Sequence, residues 1–117
     1  MQRKRTAVSK VTVETLKEHG FSAVALPEPE REITGVYIGD LLSWVMGRAK
    51  SGDAWITIMS NINILAVASL ADTACVIAAE GVEITEDIAK SAEEKGINIL
   101  SFSGTSYDAA VLLYKML

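Results

Sequence analysis

The residues whose types could do chemistry fall into three small polar groups: Ser60, Asn61 and Asn63; Glu80 and Gly81; and Ser103, Gly104, Thr105 and Ser106. Each group stands between an apolar run that reads as a strand and a run that reads as a helix. Short hydroxyl and amide side chains at such junctions cap helices, and the backbone N–H groups of a helix start favour an anion such as phosphate. The three groups are therefore the candidate ligand-binding residues. The same residue types also serve as plain caps and turns, so the pattern marks a place before it marks an activity.

No reaction is legible beside them. Neither G-x-x-x-x-G-K-[ST] nor G-x-G-x-x-G occurs, which removes the two commonest sequence-readable nucleotide cradles. Cys75, the single cysteine, sits in the apolar run Ala74-Cys75-Val76-Ile77-Ala78-Ala79 and reads as a small buried hydrophobe, not a thiolate. His19, the single histidine, lies beside Gly20, where a helix C-terminus favours a cation. One histidine and scattered carboxylates show no metal-ligand spacing. Glu28, Glu30 and Glu32, and likewise Glu93-Glu94-Lys95, read as solvated charge. The expectation is a protein that is not an enzyme and carries no cofactor and no metal.

The elements that position these groups alternate along the chain. Ser9 is placed to cap a first helix ending near Glu18, with Val13 and Leu16 as its apolar contacts and Gly20 as its stop. Phe21 to Leu26 reads as a strand. The segment from Pro27 to Glu32 reads as an exposed, flexible connection, and Ile33 to Ile38 as a second strand. Leu41, Leu42, Val45, Met46 and Ala49 recur at helical spacing, which predicts a helix from Asp40 to Lys50 capped by Asp40. Trp44 borders that helix's apolar stripe, a position suited to core packing or to anchoring a partner, and Tyr37 reads as a half-buried wall residue; both are candidate interface residues. Ala54 to Met59 predicts a strand, Ile62 to Leu70 a helix capped by Asn61 or Asn63, and Ala74 to Ala79 a buried strand. A helix capped by Thr85 and stopped by Gly96, a strand from Ile97 to Phe102 and a final helix from Thr105 complete the pattern. Such alternation predicts an α/β layered fold, a mostly parallel sheet with helices on its faces. All three polar groups then lie at one carboxyl edge of that sheet.

Composition bounds the rest. At 117 residues the chain supports one core, expected over residues 9–117 behind a basic tail at 1–8 that contains Arg3-Lys4-Arg5. Half of the residues are hydrophobic and 22% charged, which places the chain among globular domains. A net charge of −4 argues against nucleic acid as a general partner. No apolar run approaches the ~18 residues of a membrane span, and no signal-peptide core is present, so no membrane partner and a cytoplasmic location are expected.

The segments Arg31-Glu32-Ile33-Thr34-Gly35-Val36-Tyr37, Gly39-Asp40-Leu41-Leu42-Ser43-Trp44-Val45-Met46, Trp55-Ile56-Thr57-Ile58 and Asn63-Ile64-Leu65-Ala66-Val67-Ala68 together resemble the DRTGG domain family. The resemblance is to small stand-alone bacterial members, related to the N-terminal domain of HPr kinase/phosphorylase, and runs from about Val8 to Leu117. It implies an α/β domain like that N-terminal domain, without the kinase catalytic domain. It further implies a non-catalytic regulatory domain that senses a small anionic or nucleotide-like ligand and forms a homodimer or other homo-oligomer. The alternative it leaves open is a ligand-free dimerisation or protein-interaction module associated with a signalling or metabolic enzyme. At Asn61 the chain departs from related short proteins, which often carry His there.

Overall fold

Asp53–Thr57 and Cys75–Ala78 are buried at every position, which a strand achieves only when both faces of its sheet are covered. These two strands, β3 and β4, form the centre of the computed structural model, which describes residues 10–117. Arg3-Lys4-Arg5 and the expected cap Ser9 lie outside the described residues. The other strands are β1 (Ser22–Ala25), β2 (Gly35–Ile38) and β5 (Ile99–Ser101), in the sheet order β1-β5-β4-β3-β2. Neighbours are parallel from β2 through β5, and β1 is added antiparallel at one edge. The mostly parallel α/β layered architecture expected from the sequence is the one observed.

Parallel neighbours need long crossovers, and helices supply them. The helices α1 (Leu42–Arg48), α2 (Asn63–Ala71) and α3 (Glu86–Lys95) connect successive strands from β2 to β5, and α4 (Ser106–Met116) follows β5. Side chains alternate across the strands, so the core divides in two. On one face Val45, Ile64, Leu65, Val67, Ala68, Ile88 and Ala92 from the crossover helices pack on Trp55, Val76 and Ile99. On the other, Leu16 and α4 residues Ala109 and Leu113 pack on Ala54, Ile56, Cys75, Ile77 and Leu100. Phe102 stacks on Phe21 at 4.7 Å between ring centroids. Gly20 and Gly96 end their helices in the left-handed conformation, at φ 94° and 75°, where a side chain would be strained.

Two sequence expectations change. The first helix is a 3-10 helix of six residues, Glu14–His19. The backbone before it is spent on tertiary partners: Val13 N–H donates to Arg31 O at 3.0 Å, Glu14 N–H to Pro29 O at 2.9 Å, and Val11 O accepts from Ile33 N–H at 2.8 Å. The same bonds pin the connection from Pro27 to Glu32. Asn98 pins it further: its side chain, 3% exposed, accepts from Glu28 N–H at 2.9 Å and donates to Glu28 O at 2.8 Å and Ala74 O at 3.0 Å.

The second change concerns α1, which is shorter than expected and buries one residue, Val45. It packs beside α2, and Leu41, Trp44 and Met46 stay exposed. Trp44 is 52% exposed and carries the Arg48 guanidinium 3.8 Å over its ring; it is a surface residue, not a core one.

At the amino edge of the sheet, α2 ends on Asp72 in the left-handed conformation, φ 57°. Arg31 Nη2 donates to Asp72 O at 2.8 Å and lies 3.2 Å from its carboxylate, while Ser51 Oγ donates to the other carboxylate oxygen. The Ser51 hydroxyl first, and then the Arg31 charge, outweigh desolvation and hold the Asp72 carboxyl below its ordinary value of 3.8.

Two outcomes are expected. Asn98→Ala leaves Glu28 and Ala74 backbone groups without their partner and should lower stability in urea unfolding by about 2 kcal/mol or more, given ~1–3 kcal/mol for each buried group left unpaired. Because the folded-state pKa of Asp72 is depressed, its contribution is complete above pH 3.8 and is lost as pH falls through the lower folded value. Asp72→Asn should therefore reduce the slope of stability against pH below 3.8, a small change because the side chain is 60% exposed.

Candidate functional site

All four helices begin where their strands end, at one carboxyl edge, and the loops there are residues 39–41, 58–62, 79–85 and 102–105. This edge holds every candidate ligand-binding residue. How their polar atoms are used separates them into two clusters.

The first cluster joins the loops after β4 and β5. Glu80 adopts φ 62° and Gly81 φ 71°, which turns the chain sharply off β4. Glu80 N–H donates to Gly104 O at 2.8 Å and Gly81 N–H to Phe102 O at 3.1 Å. The Glu80 carboxylate accepts from Ser106 N–H at 2.8 Å, and Thr105 Oγ1 accepts from Asp108 N–H at 3.0 Å. Glu80, Gly81, Gly104, Thr105 and Ser106 are thus brought together, with exposed Ser103 beside them. The α4 start, expected to offer free N–H groups to an anion, has these two taken by the chain's own carboxylate and hydroxyl. Gly104 is needed for packing, since a Cβ there would sit 2.7 Å from the Phe102 ring.

The second cluster surrounds the loop between β3 and α2. Asn61 Oδ1 accepts from Asn63 N–H at 2.9 Å, a turn bond to the first residue of α2. The N-cap position falls on Ile62 and carries no side-chain cap, so neither Asn61 nor Asn63 is the cap that the sequence suggests. Ser60 is half-buried, and the side chains of Asn61 and Asn63 are exposed. Asn63 lines a cavity of about 550 Å³ with Ile62, Leu65, Ala66 and Ser69 of the same helix region and with Lys95 at the end of α3. Apolar Ile58 and Ile62 are also exposed in this loop.

Asp40 organises the second cluster, and sequence reasoning gave it another task. Its Oδ1 accepts from Thr57 Oγ1 at 2.7 Å and from Ile58 N–H at 2.8 Å, and α1 receives no side-chain cap from any residue. Thr57 Oγ1 in turn accepts from Met59 N–H at 3.1 Å. Asp40 therefore clamps the end of β2 to the end of β3. Gly39 continues the clamp, donating its N–H to Ile56 O at 3.1 Å and accepting from the Trp55 indole at 2.9 Å. An Asp just ahead of an apolar periodic run reads locally as a cap, and only the pairing of β2 with β3 shows its partner.

Tyr37 lies on β2, half-buried against the α1 face, and Trp44 lies exposed on α1, so the two interface candidates share one side of the sheet. Cys75 is fully buried, and burial pushes its thiol up to about 12, which keeps it protonated and unreactive. Among the described residues no three His, Cys, Asp or Glu side chains are grouped as metal ligands, and no helix is long and apolar enough to cross a membrane.

Replacing Asp40 tests its assignment. Asp40→Ala should cost about 1.5–3 kcal/mol, the range for hydrogen bonds to a charged group, and should speed amide exchange at Ile58. Asp40→Asn, which keeps Oδ1, should retain most of both. A capping role would instead show as lost α1 helicity with Ile58 exchange unchanged.

Three comparisons place the chain among known proteins. The DRTGG domain family matches residues 27–116. No curated protein sequence matches. Among solved structures, the chain is similar to the regulatory region of a Clostridium perfringens pyrophosphatase, its CBS and DRTGG domains complexed with the activator diadenosine tetraphosphate, with a TM-score of 0.74 and 16% identity. That match covers 100% of this chain and 53% of the other, so the chain spans about half the length of the pyrophosphatase region.

Proposed function

The chain belongs to the DRTGG domain family, and from that premise we propose that it is a non-catalytic, cytoplasmic regulatory domain that binds a nucleotide-like ligand at the carboxyl edge of its sheet and self-associates. The family match is the observation that carries this reading. The ligand class is supported by the activator named for the similar pyrophosphatase region, a dinucleoside polyphosphate.

The loop between β3 and α2 suits such a ligand better than the loop after β5. Ser60, Asn61 and Asn63 offer a hydroxyl and amides, Ile58 and Ile62 offer an apolar surface for a base, and Lys95 brings a cation to the cavity that Asn63 lines. At the second cluster an incoming phosphate has to displace the Glu80 carboxylate from Ser106 N–H, so Glu80, Gly81, Ser103, Gly104, Thr105 and Ser106 are assigned to shaping the edge first and to ligand contact second.

A ligand-free dimerisation or interaction module is the competing reading. One observation favours it: the helix starts that would hold an anion already hold the chain's own acceptors, at Ser106 and at Asn63.

A thermal-shift titration separates the two. Diadenosine tetraphosphate, ATP and AMP are added to the full chain, and binding to the folded state alone raises the melting temperature, by an amount equivalent to ~2.7 kcal/mol at a ligand concentration 100 times Kd. At least one nucleotide is expected to raise it, and Lys95→Ala with Asn63→Ala to reduce the rise. No shift with any of the three overturns the sensor reading in favour of the interaction module.

A further inference from the structure

The two edges of the sheet are treated differently. At β1 the register shifts between Ala23 and Ala25, and just beyond the strand Leu26 N–H is taken by Glu93 Oε2 at 3.1 Å. These are devices that blunt an edge against further pairing. At β2, Gly35-Val36-Tyr37-Ile38, there is no charge, no proline and no bulge, and among the described residues no strand covers the outer side.

We infer that the outer edge of β2 is the self-association surface, pairing antiparallel with β2 of a second copy about a two-fold axis at Tyr37. This rests on the self-association in the reading above and adds its location and register.

The register follows from the ladder. Gly39 N–H points to Ile56 O, so by alternation the N–H and C=O groups of Val36 and Ile38 face away from β3. An antiparallel partner that satisfies them sets Val36 opposite Ile38 of the second copy, and Ile38 opposite its Val36, each pair exchanging both N–H···O bonds. Tyr37 then faces its own equivalent at the axis, in the close type of pair with Cα atoms about 4.5 Å apart, where aromatic side chains pack across strands.

Three features of the surroundings fit a second copy of this chain. The Val36 and Ile38 side chains line an apolar groove of about 600 Å³ with Ala110, Tyr114 and Leu117, so the cross-strand Val36–Ile38 pairs lie along an apolar wall. Ile38 is 51% and Tyr114 83% exposed without such cover. In this register Thr34 lies opposite Asp40 of the second copy, and the polar cavity of about 460 Å³ at the start of β2 is lined by Thr34 together with Arg48, Lys50 and Asp53, two cations against one carboxylate. Asp40 uses Oδ1 for its internal clamp, which leaves Oδ2 for the approaching cations. An isologous contact of this kind closes on itself, joining two five-stranded sheets into one.

Sedimentation equilibrium of the full chain over a concentration series, with amide hydrogen exchange, tests the inference. The wild type is expected to be a dimer with Val36 and Ile38 amides protected. Ile38→Lys puts a charge on the paired edge and should weaken the dimer by roughly tenfold or more. Ile38→Pro removes an N–H that makes no bond within its own sheet and should do the same, and circular dichroism verifies that each variant is folded. Asp40→Asn should weaken the dimer at low salt and leave it unchanged at high salt. A wild-type monomer at every concentration overturns both this surface and the self-association it rests on. A dimer that folded Ile38→Lys and Ile38→Pro leave intact, or one in which the Val36 and Ile38 amides exchange freely, overturns the β2 surface while self-association stands.

Discussion

Burial of β3 and β4 on both faces governs the rest of this molecule. A parallel strand covered on both sides cannot be joined to its neighbour by a tight turn; the chain has to leave the sheet, cross a face and return to the opposite end. Once β2 through β5 are parallel, every helix that follows a strand begins at the same edge. Asp40, the loop from Ser60 to Asn63, the turn at Glu80-Gly81 and the segment from Ser103 to Ser106 are therefore neighbours because of topology, and no attraction among them is required. The same constraint fixes what is left over. The two sheet edges and the carboxyl rim are among the surfaces that the core does not consume.

The carboxyl rim is partly self-satisfied, most fully at the start of α4, while α1, α2 and α3 have no side chain accepting at their N-cap positions. Four orphan N–H groups at each helix start need acceptors, and Glu80, Thr105 and Asn61 supply some of them from within the chain. Such a rim is stable without ligand, and it raises the requirement on any ligand that binds there, which has to offer more than the acceptor it displaces. The cavity beside Asn63 escapes that requirement, because Lys95 and Ser69 reach it from outside the capping network. A charged group arriving there meets a cation instead of a resident carboxylate.

What could be read in the sequence follows the range of the interactions. Trp55-Ile56-Thr57 and Cys75-Val76-Ile77-Ala78 announce buried strands because every residue has to suit a two-sided apolar environment. Gly20 and Gly96 announce helix ends because the left-handed conformation is a local demand. Asp40, Glu80 and the residues before the 3-10 helix were not legible in the same way. The partner of Asp40 lies across a strand pairing at Thr57 and Ile58, that of Glu80 lies at Ser106, and residues 11–14 give their backbone bonds to 29–33. Local pattern assigns each of them to the nearest helix, and tertiary pairing reassigns it. Trp44 differs again: it stands at the border of the apolar stripe as its spacing indicates, and in the fold that border of α1 faces water.

A regulatory domain has to let events at one surface change the free energy of another, and the change is reciprocal between the two. The two surfaces proposed above, β2 and the loop after β3, are adjacent because the strands pair in register from Gly35–Asp53 to Ile38–Ile56. Asp40 joins them as a single carboxylate that leaves β2 and ends on Thr57 and Ile58, at the start of the loop carrying Ser60, Asn61 and Asn63. A shift of that loop moves the acceptor at the end of β2, and a change at the end of β2 moves the acceptor that holds the loop. The span is one side chain, with no relay of packed groups needed between the sites. Its strength is bounded by what the clamp itself contributes, about 1.5–3 kcal/mol for hydrogen bonds to a charged group, which is of the size of typical coupling energies between binding sites, about 1–3 kcal/mol.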